Sequence, residues 1–145
     1  MRTSFLIGRL IVGLFYLYSG IDGFINLGSK IGYAASKGTP LPQVTVLVSA
    51  VLLVIAGLTI ITGYEVRIGV LALVLFFLPV TFIIHDFWNI QEPLRRLTEM
   101  HSFQSNIALM ASALMLLAIP APWPYSLMEL LKQKQQPKRQ LVVER

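Results

Sequence analysis

The sequence predicts an all-α membrane protein, a four-transmembrane-helix bundle with a cytoplasmic N-terminus and a cytoplasmic C-terminus. Three observations predict it. Hydrophobic residues make up 55% of the 145 residues, and the mean hydropathy of +0.69 exceeds what a soluble domain of this length carries. Charge-free runs recur at Leu10 to Ile21, Gly38 to Tyr64, Ile68 to Ile84 and Ser102 to Met128, each able to supply most of the roughly 20 residues a bilayer core requires. The basic residues are also unevenly distributed. Arg2, Arg9, Arg67, Lys132, Lys134, Lys138, Arg139 and Arg145 fall on one side of a four-span arrangement, and Lys30, Lys37, Arg95 and Arg96 on the other. The positive-inside bias puts the first group, and both termini, in the cytoplasm.

The first helix is expected over residues 5–25. Met1-Arg2-Thr3-Ser4 and the apolar stretch after it resemble a secretory signal. Without a small-x-small cleavage site, and with three more apolar runs to follow, the segment reads as an uncleaved first span. At helical spacing Arg9, Gly13, Tyr16, Gly20 and Gly23 share one stripe, which suits close approach by another backbone. A second stripe holds Phe15, Tyr18, Ser19, Asp22 and Asn26. Arg9 and Asp22 are 13 positions apart in sequence, about 20 Å along a helix axis, so each needs its own partner. For Arg9 the options are headgroup phosphate or a polar group at the turn that carries Tyr64 and Glu65.

Residues 26–43 hold Gly28, Gly32, Gly38, Pro40 and Pro42 and predict an external loop with a short interfacial helix from Lys30 to Lys37. The second span, 44–62, carries small residues at Ser49, Ala50, Ala56 and Gly57, which favour tight packing in lipid. Gly63-Tyr64-Glu65-Val66-Arg67 is long enough only for a tight turn, so the third span, 68–85, runs antiparallel to the second. Pro79 predicts a kink within it. Glu92 and Arg96, like Arg95 and Glu99, are one helical turn apart, which predicts a short surface helix with paired charges. The fourth span, 102–119, places His101, Gln104, Ala108, Ala111 and Met115 on one face expected to line the bundle interior. Trp123 and Tyr125 are expected at the cytoplasmic headgroups, ahead of a basic tail at 132–145. The transmembrane domain is thus 1–131.

Composition excludes several functions. With no cysteine, the chain has no disulfide, thiolate metal site or thiol relay of its own. Its basic residues line one membrane face without a nucleic-acid motif, so no nucleic-acid partner is expected. The functional candidates gather where the third span ends in His85-Asp86-Phe87-Trp88, an imidazole, a carboxylate and an indole at a boundary between hydrocarbon and water. Topology brings Asp22, His101, Gln104 and Asn106 to the same side. Such a site can exchange protons with a quinone headgroup. His85 would give or take the proton, Asp22 or Asp86 would orient it, and Phe87 with Trp88 would cover the ring. The competing reading makes Trp88 a belt residue and His85 with Asp86 a helix end. Asp22, Asp86, His85 and His101 form no dense ligand motif, so no metal site is assigned.

Gly8-Arg9-Leu10, Tyr18-Ser19-Gly20-Ile21-Asp22-Gly23 and His85-Asp86-Phe87-Trp88 together resemble the DoxX family of small bacterial membrane proteins, over residues 6 to 119. The resemblance implies a four-helix bundle in the bacterial inner (cytoplasmic) membrane. It also implies kinship with membrane subunits linked to quinone-dependent sulfur oxidation and with small proteins that accompany oxidative-stress partners. Many members carry an acidic residue early in the second span, whereas Val44 to Leu53 has none here. The expectation is a quinone-binding or redox-associated subunit acting with a partner oxidoreductase, rather than a self-contained enzyme. The alternatives are a noncatalytic scaffold, a homo-oligomer among its forms, or a small-solute transporter.

Overall fold

The computed structural model describes residues 2–134, which are helical with no strand among them. Five helices come first: α1 Arg2–Ile25, α2 Leu27–Ser36, α3 Pro42–Thr62, α4 Val66–Pro79 and α5 Pro93–Met115. A sixth, α6, covers 127–134. Of the expected basic tail only 132–134 is described, and 135–145 lies outside the described residues.

α1 packs along α3, α3 along α4 and α4 along α5. Their shared core holds Tyr16, Leu53, Ala56, Ile60, Leu73, Phe77 and Ala113, so all four long helices contribute to it. The buried residues of α1 are Arg9, Gly13, Tyr16, Gly20 and Gly23, the stripe expected from its spacing. The glycines let two backbones meet. A Cβ on Gly57 would come within 2.6 Å of the Leu17 amide nitrogen, and one on Gly20 within 2.8 Å of the Val54 nitrogen. In lipid, where burying apolar surface gives little drive, such close packing is what holds helices together.

Three stretches are long and apolar enough to cross a membrane: Arg2–Ile25, Pro42–Thr62 and Val66–Asn89. α5 has the length, but its first turns are charged. The surface helix and the fourth span expected from the sequence are one continuous helix. It begins at Pro93 and is capped by Glu92, whose carboxylate accepts from the amides of Leu94 and Arg95. Proline at the first helical position loses no hydrogen bond, which explains the earlier start.

α5 also turns a different face inward. His101, Gln104, Ala108, Ala111 and Met115 are exposed, while Glu99 and Ala113 are buried. The larger apolar side chains Leu109, Met110 and Leu116 pack on the core instead. The expected stripe therefore faces away from the core, which α5 meets through Ala113, Leu109 and Met110.

At the other end of the molecule Arg9 is buried, 6% exposed. Its Nη1 donates to the Pro124 carbonyl at 3.1 Å and its Nη2 to the Tyr125 carbonyl at 3.2 Å. Among the described residues these two carbonyls, and no polar group of Tyr64 or Glu65, accept its hydrogen bonds. Trp123 packs inward against the protein. It is 2% exposed, stacks edge-on against Phe5 at 5.1 Å and donates Nε1 to the Ile119 carbonyl. Tyr125 stays exposed.

Candidate functional site

Pro79 ends the regular part of α4. It lacks the amide hydrogen that the ladder needs and crowds the preceding turn, and residues Val80–Ile84 continue as a π-helical turn. This wider turn is the form taken by the expected kink, and it sets the direction in which the chain releases His85.

His85 Nδ1 lies 2.7 Å from Glu99 Oε2 on α5. The other carboxylate oxygen, Oε1, accepts from Lys37 Nζ at 3.0 Å and from the Tyr33 hydroxyl at 3.4 Å. Lys37 Nζ also approaches Asp86 Oδ1 at 3.5 Å, and Asp86 Oδ2 accepts from Asn89 at 3.1 Å. The Lys37 side chain is 7% exposed and that of Glu99 11%. Three separate chain segments thus meet in one charge network: the end of α2, the junction after the π-turn, and the first turns of α5.

Beside the network lies a partly open cavity of about 350 Å³, within the range of about 300–1,000 Å³ typical of small-molecule sites. Val46, Leu53, Phe76, Ile83 and Ile84 give it apolar walls, and His85 lines it together with Ser19, Lys30, Tyr33 and Thr39. Thr39 is 7% exposed, and its hydroxyl has no hydrogen-bond partner. Burying a hydroxyl unpaired is costly. Thr39 lines the cavity, but its hydroxyl oxygen is itself closed off from it.

The sequence candidates divide accordingly. His85 and Asp86 share the network, but the carboxylate on the imidazole is Glu99, not Asp22 or Asp86. Asp22 accepts from Asn26 Nδ2 at 2.6 Å and pairs with Lys30 at 2.5 Å, so it reaches the cavity only through that lysine. Ser19 lines the cavity while donating to the Phe15 carbonyl at 2.8 Å. His101 follows Glu99 by two positions, about 200° around a helix, and is exposed, as is Gln104; the His85 and His101 pair considered for a metal does not form. Trp88 is 48% exposed, with its ring against Phe87 and Phe103. Glu99, Lys37, Tyr33 and Thr39 were not among the candidates. The signal that points to the first two is opposite charge at spans' ends on one side of the expected topology.

A family model described as DoxX matches residues 4–86, more than half of the chain. The chain belongs to the DoxX family. The matched stretch of this DoxX protein contains Arg9, Lys37, His85 and Asp86 and stops short of Glu99. The chain is also similar to "Inner membrane protein YphA" of Escherichia coli (strain K12), 28% identical over 122 residues that cover 84% of this chain and 86% of that protein. No solved structure matches. Together with its apolar spans, these likenesses make this DoxX chain a multi-pass protein of the inner membrane.

Proposed function

We propose that this DoxX protein holds a quinone, or a closely similar lipophilic redox molecule, in the His85 cavity on behalf of a partner oxidoreductase. One observation carries the reading: an imidazole fixed by a carboxylate lines a largely apolar cavity of small-molecule size. The fit is chemical. A substituted quinone ring needs apolar walls, one or two hydrogen-bonding points and a way out to hydrocarbon for its tail. His85 would hold a ring oxygen, and Leu53, Phe76 and Ile83 would flank its faces. When bound, a quinone supplies two-electron, two-proton chemistry, and His85 is the residue here able to hold or release a proton. On this reading all four long helices cross the membrane, and the charge distribution puts the His85 end outside and the Arg9 end in the cytoplasm.

A second reading, a noncatalytic scaffold, is favoured by the face of α5 that exposes His101, Gln104, Ala108 and Ala111. Small and polar residues on such a face suit contact with another helix in lipid.

Purification in mild detergent, followed by extraction and mass analysis, separates the two. Quinone retained by the native protein and reduced severalfold in Ile83→Ala and His85→Ala supports the cavity. A preparation without quinone, but with a protein partner in fixed ratio, supports the scaffold. Quinone held equally by all three proteins overturns the cavity as its site.

A further inference from the structure

The network around Glu99 determines which nitrogen of His85 carries hydrogen. Glu99 Oε1 receives two donors, Lys37 Nζ and the Tyr33 hydroxyl, and the ammonium favours the anionic carboxylate beside it. An ionised carboxylate only accepts hydrogen bonds. At 2.7 Å from Oε2, Nδ1 must therefore bear the hydrogen, and in the neutral ring Nε2 is left with a bare lone pair. The other charged groups nearby do not reverse this. Asp86 lies on the far side of Lys37, and Lys30, across the cavity, is engaged by Asp22. Toward an occupant of the cavity, His85 presents an acceptor.

An acceptor is the wrong partner for a quinone carbonyl, which also only accepts, and the right one for the hydroxyl of the reduced ring. We propose that the cavity prefers the hydroxyl-bearing, reduced form of its ring ligand over the carbonyl form, and that Glu99, held by Lys37, is the positioning residue that sets this preference through the His85 tautomer. The proposal rests on the reading that the cavity holds a quinone-like ring. It goes beyond that reading in naming the redox form selected and the residues that select it.

The tautomer can be inverted without removing a single heavy atom. In Glu99→Gln, Lys37 and Tyr33 both need an acceptor and so retain the amide oxygen. The amide NH₂ then points at Nδ1, which moves the ring hydrogen to Nε2.

The test uses full-length protein in mild detergent with a decyl-substituted benzoquinone and its hydroquinone, bound separately under anaerobic conditions at about pH 8. Native protein is expected to bind the hydroquinone about tenfold more tightly than the quinone, for a hydrogen bond made in one case and opposed in the other. A potentiometric titration of the bound couple should then lie about 30 mV above the free couple. Glu99→Gln is expected to reverse the order and the sign of that shift, whereas Ile83→Ala, which removes apolar wall, should weaken both forms and leave their ratio unchanged. Equal binding of the two forms by native protein, or an unchanged order in Glu99→Gln, overturns the proposal while leaving the cavity as a ring site. If neither form binds, the reading on which it rests is overturned with it.

Discussion

Burial pushes the Glu99 carboxyl up, but hydrogen bonds from His85 and Lys37 and the charges of both outweigh it, so the group lies below its ordinary value of 4.5. A carboxyl with a lower value folded than unfolded stabilises the fold above the unfolded value and loses that contribution as pH falls through the folded one. The melting temperature in detergent is therefore expected to drop as the pH is lowered from about 5 toward 3, and Glu99→Gln should decline less over the same interval. Equal declines would mean that Glu99 is not held ionised by its neighbours. Nothing local in the sequence separates Glu99 from an ordinary surface charge, because Arg95, one turn earlier on the same helix, is an equally good partner. Only the seating of α2 on α3, which carries its end toward Glu99, brings Lys37 within reach. His85 was legible because it ends an apolar run, where an imidazole stands out against its surroundings.

At the scale of helices, backbone contact decides what each position tolerates. Gly57→Ala would place its Cβ 2.7 Å from that of Leu17 and 2.8 Å from the Gly13 carbonyl oxygen, and overpacking of this kind costs about 1–3 kcal/mol. Gly28, in α2, has nothing within 4 Å of the point a Cβ would occupy, so Gly28→Ala should be neutral or stabilising by up to about 1 kcal/mol. Thermal unfolding of the two variants side by side checks this, and a similar loss in both would refute the backbone contact. The α1 stripe could be read in advance because glycine at helical spacing has few uses other than close packing. The inward face of α5 could not. Small polar residues and larger apolar ones compete for the interior, and the outcome depends on the volume left by α4. Pro79 announced a break in the third span, but the π-turn that aims His85 follows from how the later residues recover their hydrogen bonds.

For the whole molecule, the two ends differ in chemistry. The His85 end carries the ion network and the cavity, and the Arg9 end the aromatic and carbonyl contacts of 119–126. The absence of cysteine makes their sidedness directly measurable. Single cysteines at the exposed positions Gln91 and Tyr64 report opposite ends. A membrane-impermeant maleimide should label Gln91→Cys in intact cells and Tyr64→Cys only after lysis; the reverse pattern would put the cavity in the cytoplasm. Three apolar spans and their order were readable from hydropathy, while α5 departs from a simple span because its first turns serve the ion network. Arg9 adds a constraint in time. Its carbonyl partners lie 115 and 116 residues further along the chain, so at about 5–20 residues per second a ribosome reaches them roughly 6–23 s after Arg9 itself has been made. For that interval the first helix holds an unsatisfied guanidinium that must stay with water, phosphate or the insertion machinery. Final seating of α1 thus waits for the last part of the chain, so a truncation before Pro124 would leave the first helix, not just the end of the protein, without its lock.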